Sequence, residues 1–219
     1  QYARSLLNLM MRDNYVKKEF NDVINMDSYL DVITDPITEE DKAQQADLHY
    51  LLAFAHFQTR DYPGSNDQFS NIIQLYNNSI HFNDSRYYRG MTSMFQANYD
   101  EALNDFIKYR EDNESGEHSS ASLFRQAVCQ FGLEDIESSE LLFSKFINLY
   151  PEDALVSEAY SYRADITASK EATEDIPNPL DLAIIDYRKG IDKAVTTLQS
   201  SYAAFKAAEV YKLEDKWNE

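Results

Sequence analysis

The side chains in this sequence best equipped for chemistry are its carboxylates and its few imidazoles. Adjacent acids stand at Glu39-Glu40, Glu111-Asp112, Glu134-Asp135 and Glu174-Asp175. Two carboxyl groups facing each other across a cleft could share acid and base or nucleophile roles in glycoside hydrolysis. Each pair, however, falls at a helix start or in a loop, where acids complement the helix dipole and solvate the surface. The four histidines are His49, His56, His81 and His118. His49 and His56 are two helical turns apart rather than the i, i+4 of a chelating pair, and no Cys lies near them. Cys129 stands among Ala127, Val128 and Phe131, the setting of a buried, inert thiol. No glycine-rich phosphate loop or G-x-S-x-G turn occurs. No catalytic residue, metal ligand or cofactor is therefore assigned. An all-α hydrolase with paired carboxylates is the most distant alternative, since a barrel of helix pairs needs a much longer chain to close.

The elements that would position these groups are helices. Five Gly and five Pro against 16 Tyr and 12 Phe in 219 residues suit long helices packed by aromatics, so the expected fold class is all-α. The charge of −18, from 38 acids and 20 bases, repels phosphate backbones and anionic headgroups and argues against nucleic acid and membrane surfaces as partners. The same charge favours a basic or amphipathic protein partner, and it also keeps an aromatic-rich chain soluble. No apolar run reaches the ~18 residues of a membrane span. A single Cys excludes an internal disulfide. The chain opens on Gln1 with no basic and apolar leader, which is the expectation for a piece of a longer protein.

The helices recur. Tyr99, Ala102, Phe106 and Tyr109 lie at i, i+3, i+7 and i+10, a buried helical stripe. Tyr62, Ser65, Phe69 and Ile72 repeat it 37 residues earlier, and Ile136, Ser139, Phe143 and Phe146 repeat it 37 residues later. Leu180, Ala183, Tyr187 and Gly190 follow after 44, the same unit with the insertion EATEDIPNP at 171–179. Before each of the first three stripes stands another: Tyr50, Ala53, Phe54, Phe57; Tyr87, Gly90, Met91, Met94; Phe124, Ala127, Val128, Phe131. Two helices per period, with a small residue (Ala53, Gly90, Ala127) where backbones cross, define a helix-turn-helix repeat.

These stripes resemble the tetratricopeptide repeat (TPR) family: NYDEALNDF carries its aromatic, Ala and aromatic as Tyr99, Ala102 and Phe106, and FSKFINLYPED carries Phe143, Phe146 and the closing Pro151. The usual unit is about 34 residues. The first-helix Trp is absent, and Ser65 and Ser139 replace Ala, which is expected to loosen the helix-pair contact. The resemblance implies a right-handed α-solenoid of antiparallel helix pairs with a period of about 37 residues, covering 39–219 as repeats at 39–78, 79–115, 116–152 and 153–195 and a truncated one at 196–219. In the last of these, SYAAFKAAEVYKLEDKW is expected to form a first helix with Trp217 where a second should open, which predicts either further chain beyond Glu219 or a frayed end. Residues 1–38 are expected to form a capping helix pair that Asp35-Pro36 stops, and Thr38 to Asp41 reads as a capping box opening the next helix.

The family implies a non-catalytic protein-protein interaction scaffold whose first helices line the binding surface. The positions that fall there are Tyr50, Phe54 and Phe57; Tyr87, Met91 and Met94; Phe124, Val128 and Phe131. None is basic, so a clamp for a C-terminal carboxylate is not expected. These residues are either core or the wall of an apolar groove for a partner peptide, helix or subunit. Tyr50, Tyr87 and Phe124 stand at the stripe's outer edge, where exposure is expected; if they are buried, the surface shifts to polar positions such as Asp47 and Asp84. FINLYPEDALVSEAYSYRAD is similar to the bacterial cell-envelope branch of the family, whose members assist outer-membrane protein assembly or coordinate the cell wall. That implies a periplasmic or outer-membrane-associated location; a cytoplasmic assembly scaffold with the same mechanism is the alternative.

Overall fold

The computed structural model describes residues 2–33, 36 and 38–213, and every regular element among them is helical. Asp35 and Trp217, read above as a helix stop and a helix opening, lie outside the described residues. The chain divides into two compact units, Gln1–Gly116 and Glu117–Glu219.

In the first unit, α1 (Tyr2–Val16), α2 (Phe20–Asn25) and a short 3₁₀ helix (Asp27–Val32) precede two helix pairs, α3 (Glu39–Gln58) with α4 (Tyr62–Leu75) and α5 (Phe82–Phe95) with α6 (Tyr99–Asp112). Leu7 and Met11 of α1 and Val23 of α2 pack on Leu48, Leu52 and Ala55 of α3. Arg4 is buried with them, its Nε donating to Gln45 (3.0 Å) and its Nη1 to Asp41 (2.6 Å). Thr38 caps α3 with the capping box its spacing predicts, and Asp41 serves in place of the usual Glu.

The second unit holds α7 (Ser119–Gly132) paired with α8 (Ile136–Leu149), α9 (Val156–Ala168) paired with α10 (Pro179–Lys193), and α11 (Thr197–Leu213) against α10. One core joins Phe124, Ala127, Phe143 and Phe146; a second joins Ala164, Ala183, Tyr187, Ala207 and Val210.

Four helix turns share one conformation, the first at Lys18 (φ 63°), where Glu19 N bonds Asn14 O, and three more at the repeat spacing. Arg60, Ala97 and Glu134, each 37 residues apart, have φ of 60–63°, and the next amide in each turn closes a six-residue bond: Asp61 N to His56 O, Asn98 N to Ser93 O, Asp135 N to Gln130 O. This is a left-handed helix termination built without glycine. An L residue there costs about 1–2 kcal/mol and glycine gives back part of that in chain entropy. Ala97→Gly should therefore stabilise the protein by about 0.5–1 kcal/mol, read as a higher urea midpoint at unchanged slope; a lower midpoint would count against this account of the turn.

The helix crossings correct one expectation. Ser65 and Ser139 do not loosen their pairs: both are fully buried, and their hydroxyls donate to the carbonyls of Ala53 (2.8 Å) and Ala127 (3.0 Å) at the crossing points. A hydroxyl that reaches a helix carbonyl is satisfied in place and holds the backbones together. In the middle pair, Ala102 occupies that position and Gly90 gives the room instead, since a Cβ on it would meet Phe106 at 2.9 Å.

Candidate functional site

The first helices are α3, α5, α7, α9 and α11, and the two edges of their stripes have different fates. Tyr87 (7% exposed) packs against Phe106 and Tyr109, and Phe124 (1%) against Phe143 and Phe146. The exposure expected of these two is thus corrected: each ring sits where its helix meets its second helix, and the core closes over it. Tyr50 is half-buried; its ring stacks on His81 with centroids 3.9 Å apart, and its hydroxyl donates to Asp84 (3.4 Å). Burial first, and the negative charge of Asp84 next, push the Tyr50 phenol well above its ordinary pKa, so it remains a donor.

Phe54, Phe57, Met91 and Met94 are half-buried. Phe54 meets Phe69 and Tyr88 edge-on. Phe57 touches Tyr62 and Phe95, which stack on each other at 5.0 Å, and Phe95 is exposed. Val128 is half-buried, and Phe131 is 37% exposed against Tyr162. The accessible apolar groups therefore lie toward the last turns of the first helices, one or two turns past the residues singled out as edges. Asp47 is engaged: Arg12 Nη2 donates to it at 2.8 Å, and His81 Nε2 lies 2.6 Å away. Burial alone would raise the Asp47 pKa, but the bonds and charges of His81 and Arg12 outweigh it and hold the carboxyl below its usual range.

The burial of His49 predicts a pH dependence of stability in the first unit. Its ring stacks on Tyr76 (5.7 Å) and its Nδ1 lies 2.7 Å from Gln68. Burial pushes its pKa below the usual 6.5, against the opposing effects of Gln68 and Asp27. Below about pH 6.5 the unfolded chain takes up a proton that the folded one refuses, so stability is lost as pH falls through that window. His49→Phe should flatten the fall in melting temperature between about pH 6.5 and 5. An unchanged slope in the variant would contradict this.

Two polar clips, missed by a search for apolar periodicity, tie successive helices together. Arg89 of α5 donates Nε and Nη2 to Asp105 of α6 (both 2.7 Å) and Nη1 to Ser70 of α4 (3.2 Å). Arg163 of α9 donates Nε and Nη2 to Asp186 of α10 (2.7 and 2.9 Å) and Nη1 to Ser144 of α8 (3.1 Å). Ser70 and Ser144, like Arg89 and Arg163, are 74 residues apart, two periods. Phe57 and Phe131, Ser65 and Ser139, Phe69 and Phe143, and Tyr88 and Tyr162 share that offset. The chain thus repeats in pairs of repeats, and the stacking of Phe69 on Tyr88 reappears as Phe143 on Tyr162.

The fourth first helix breaks the row. Where Tyr50, Tyr87 and Phe124 stand in α3, α5 and α7, α9 carries Ser161. A cleft of about 620 Å³ opens between α9 and α11, lined among others by Glu158, Ser161, Tyr162, Leu198, Gln199 and Tyr202. Gln199 holds the two helices together: its Oε1 accepts from the Thr196 amide, Thr196 Oγ1 accepts from the Gln199 amide, and its Nε2 donates to Ala154 O and Glu158. Asp165 accepts the hydroxyls of Tyr187 (2.7 Å) and Tyr202 (2.9 Å), with Lys206 at 3.5 Å. The T-x-x-Q spacing at Thr196 was a legible helix start.

Among the described residues no helix is long and apolar enough to cross a membrane, and no cluster of three or more His, Cys, Asp or Glu could hold a metal ion. Burial pushes the Cys129 thiol up to about 12, far from a reactive thiolate at neutral pH.

Comparison with known proteins agrees with this architecture. Residues 121–153 match the family model described as tetratricopeptide repeat. The fold is similar to that of the MamA RS-1 ArsTM double mutant, with a TM-score of 0.65 at 13% identity over 88% of this chain and 95% of that one. It is also similar to a tetratricopeptide repeat protein from Parabacteroides merdae ATCC 43184 (TM-score 0.61, 17% identity, 99% of this chain and 79% of that one). MamA from Desulfovibrio magneticus RS-1, from position 41 to its end, gives a TM-score of 0.55 at 13% identity over 80% and 98% of the two chains. No curated protein matches the sequence. Residues 121–153 thus match a tetratricopeptide repeat, and the all-helical fold is similar to that of a solved tetratricopeptide repeat protein.

Proposed function

We propose that the chain is a non-catalytic scaffold of the bacterial cell envelope that holds a segment of another protein against its first-helix surfaces. The observation that carries this is the accessible apolar face at those helices in each unit: Phe57 beside exposed Phe95 in the first, and Phe131, Leu198 and Tyr202 in the second. Apolar groups left open beside well-filled cores are what a partner covers. The acidic surface favours a basic or amphipathic partner and speeds its encounter. The envelope assignment is supported by the stretch at 146–165 and by repeats longer than the usual unit of about 34 residues, and fractionation of the producing cells tests it.

The binding surface is tested by partner capture with the intact protein and with a Phe95→Ser/Phe131→Ser variant whose circular dichroism is unchanged. Removing two partly exposed rings should weaken capture about tenfold or more, in line with aromatic anchors at interfaces. Unchanged capture by the folded variant would sink the surface assignment.

A further inference from the structure

The cleft between α9 and α11 has a chemistry of its own. Its walls are Tyr162, Leu198 and Tyr202, and the one charged side chain lining it is Glu158. The nearby Asp165 is occupied, its two oxygens taking the hydroxyls of Tyr187 and Tyr202 with Lys206 beside it. Glu158 is not: the one bond it receives among the described residues is from Gln199 Nε2 at 3.1 Å, an uncharged donor. A carboxylate has about four acceptor positions, so most of its capacity faces the cleft. Its charge sits in a half-buried place where attraction is screened less than on open surface.

An anionic occupant would meet both Glu158 and a net charge of −18. A purely apolar one would bury the carboxylate without a counter-charge, which is unfavourable. A cation on an aliphatic stem meets neither objection. Its stem can lie along Leu198, its head reaches Glu158, and Tyr202, 46% exposed, offers a ring at the mouth. Ser161, at the register where the earlier first helices carry an aromatic, lines the cleft as a small residue.

We propose that the α9–α11 cleft takes a Lys or Arg side chain from an extended segment of the partner protein, with Glu158 as its counter-ion. This rests on the scaffold reading and gives it a specific anchor.

The test uses the full chain and a blocked heptapeptide with a central Lys between two Leu, followed by ¹⁵N chemical shifts up to millimolar concentration. The expected result is shift changes at the amides of α9 and α11, binding about tenfold weaker with norleucine in place of Lys, and a similar loss for the Glu158→Gln protein. Glu137→Gln, on an exposed acid of α8, serves as the control and should change affinity less than about twofold. Equal weakening by the two Gln variants means that overall charge attracts the peptide, and it overturns the proposal. No shift changes in α9 and α11 also overturn it. Partner capture that survives Glu158→Gln but is lost in the Phe95→Ser/Phe131→Ser variant removes the anchor and leaves the scaffold standing; capture lost in neither fails both.

Discussion

Replacing Arg89 by Met should destabilise the protein by about 3–5 kcal/mol, the cost of leaving a buried carboxylate without its cation. Asp105 is 2% exposed and receives both of its charged bonds from Arg89, and the guanidinium also reaches Ser70, so one side chain joins α4, α5 and α6. Burial by itself would lower the Arg89 pKa; the bonds and charge of Asp105 outweigh it and raise it, so the guanidinium keeps its charge at all accessible pH. The prediction has a built-in control. One period further along, the positions of Ser70, Arg89 and Asp105 hold Ile107, Gln126 and Leu142. None of these three side chains is charged. Arg89→Gln/Asp105→Leu should accordingly recover most of the loss, since removing both charges avoids the orphaned one. Urea unfolding of the single and double variants decides it: a double variant as unstable as Arg89→Met would show that the clip is not an exchangeable pair. The Arg163, Asp186 and Ser144 clip should behave alike.

Phe143→Ala should cost a similar amount, about 3–5 kcal/mol, through lost burial and the cavity left behind. Phe143 is fully buried, its ring 5.6 Å from Phe124 and stacked on Tyr162 at 5.1 Å with 8° between planes. Tyr162 also lines the α9–α11 cleft. The substitution therefore removes the support of a wall as well as a piece of core, and affinity for a cleft ligand should fall with stability. Phe143→Leu keeps most of the volume and should cost less than about 1.5 kcal/mol. A loss below about 1 kcal/mol for Phe143→Ala would mean that neighbouring rings collapse into the space, and the proposed stacking would then not be structural.

The helix pairs were legible because an i, i+3, i+7 stripe repeating at a fixed interval has few other meanings, and Tyr62, Tyr99 and Ile136 each open a second helix. The stripe does not say which of its edges the core covers. Tyr87 and Phe124 were placed at an open edge, yet both face their second helices; Phe57, Phe95 and Phe131 at the helix ends are the more accessible rings. Residue size at Ser65 and Ser139 suggests a looser contact, whereas it is a hydroxyl's reach to a helix carbonyl that holds each pair. The Arg89 and Arg163 clips lie on positions that an apolar pattern skips, and a comparison at twice the period finds them. The cleft beside Ser161 was hidden for a related reason. One of its walls is the start of a helix that begins at Thr197, ahead of the SYAAF segment that marks the last helix in the sequence.

The central claim is that first-helix surfaces carry the binding. It is tested most directly by placing a photo-crosslinking phenylalanine analogue, in the producing cells, at Phe131 or Tyr202 and, for comparison, at Leu141, which is 70% exposed on the second helix α8. The account predicts one discrete crosslinked protein from Phe131 and Tyr202 and none from Leu141. Crosslinks from Leu141 with none from the other two positions would contradict it.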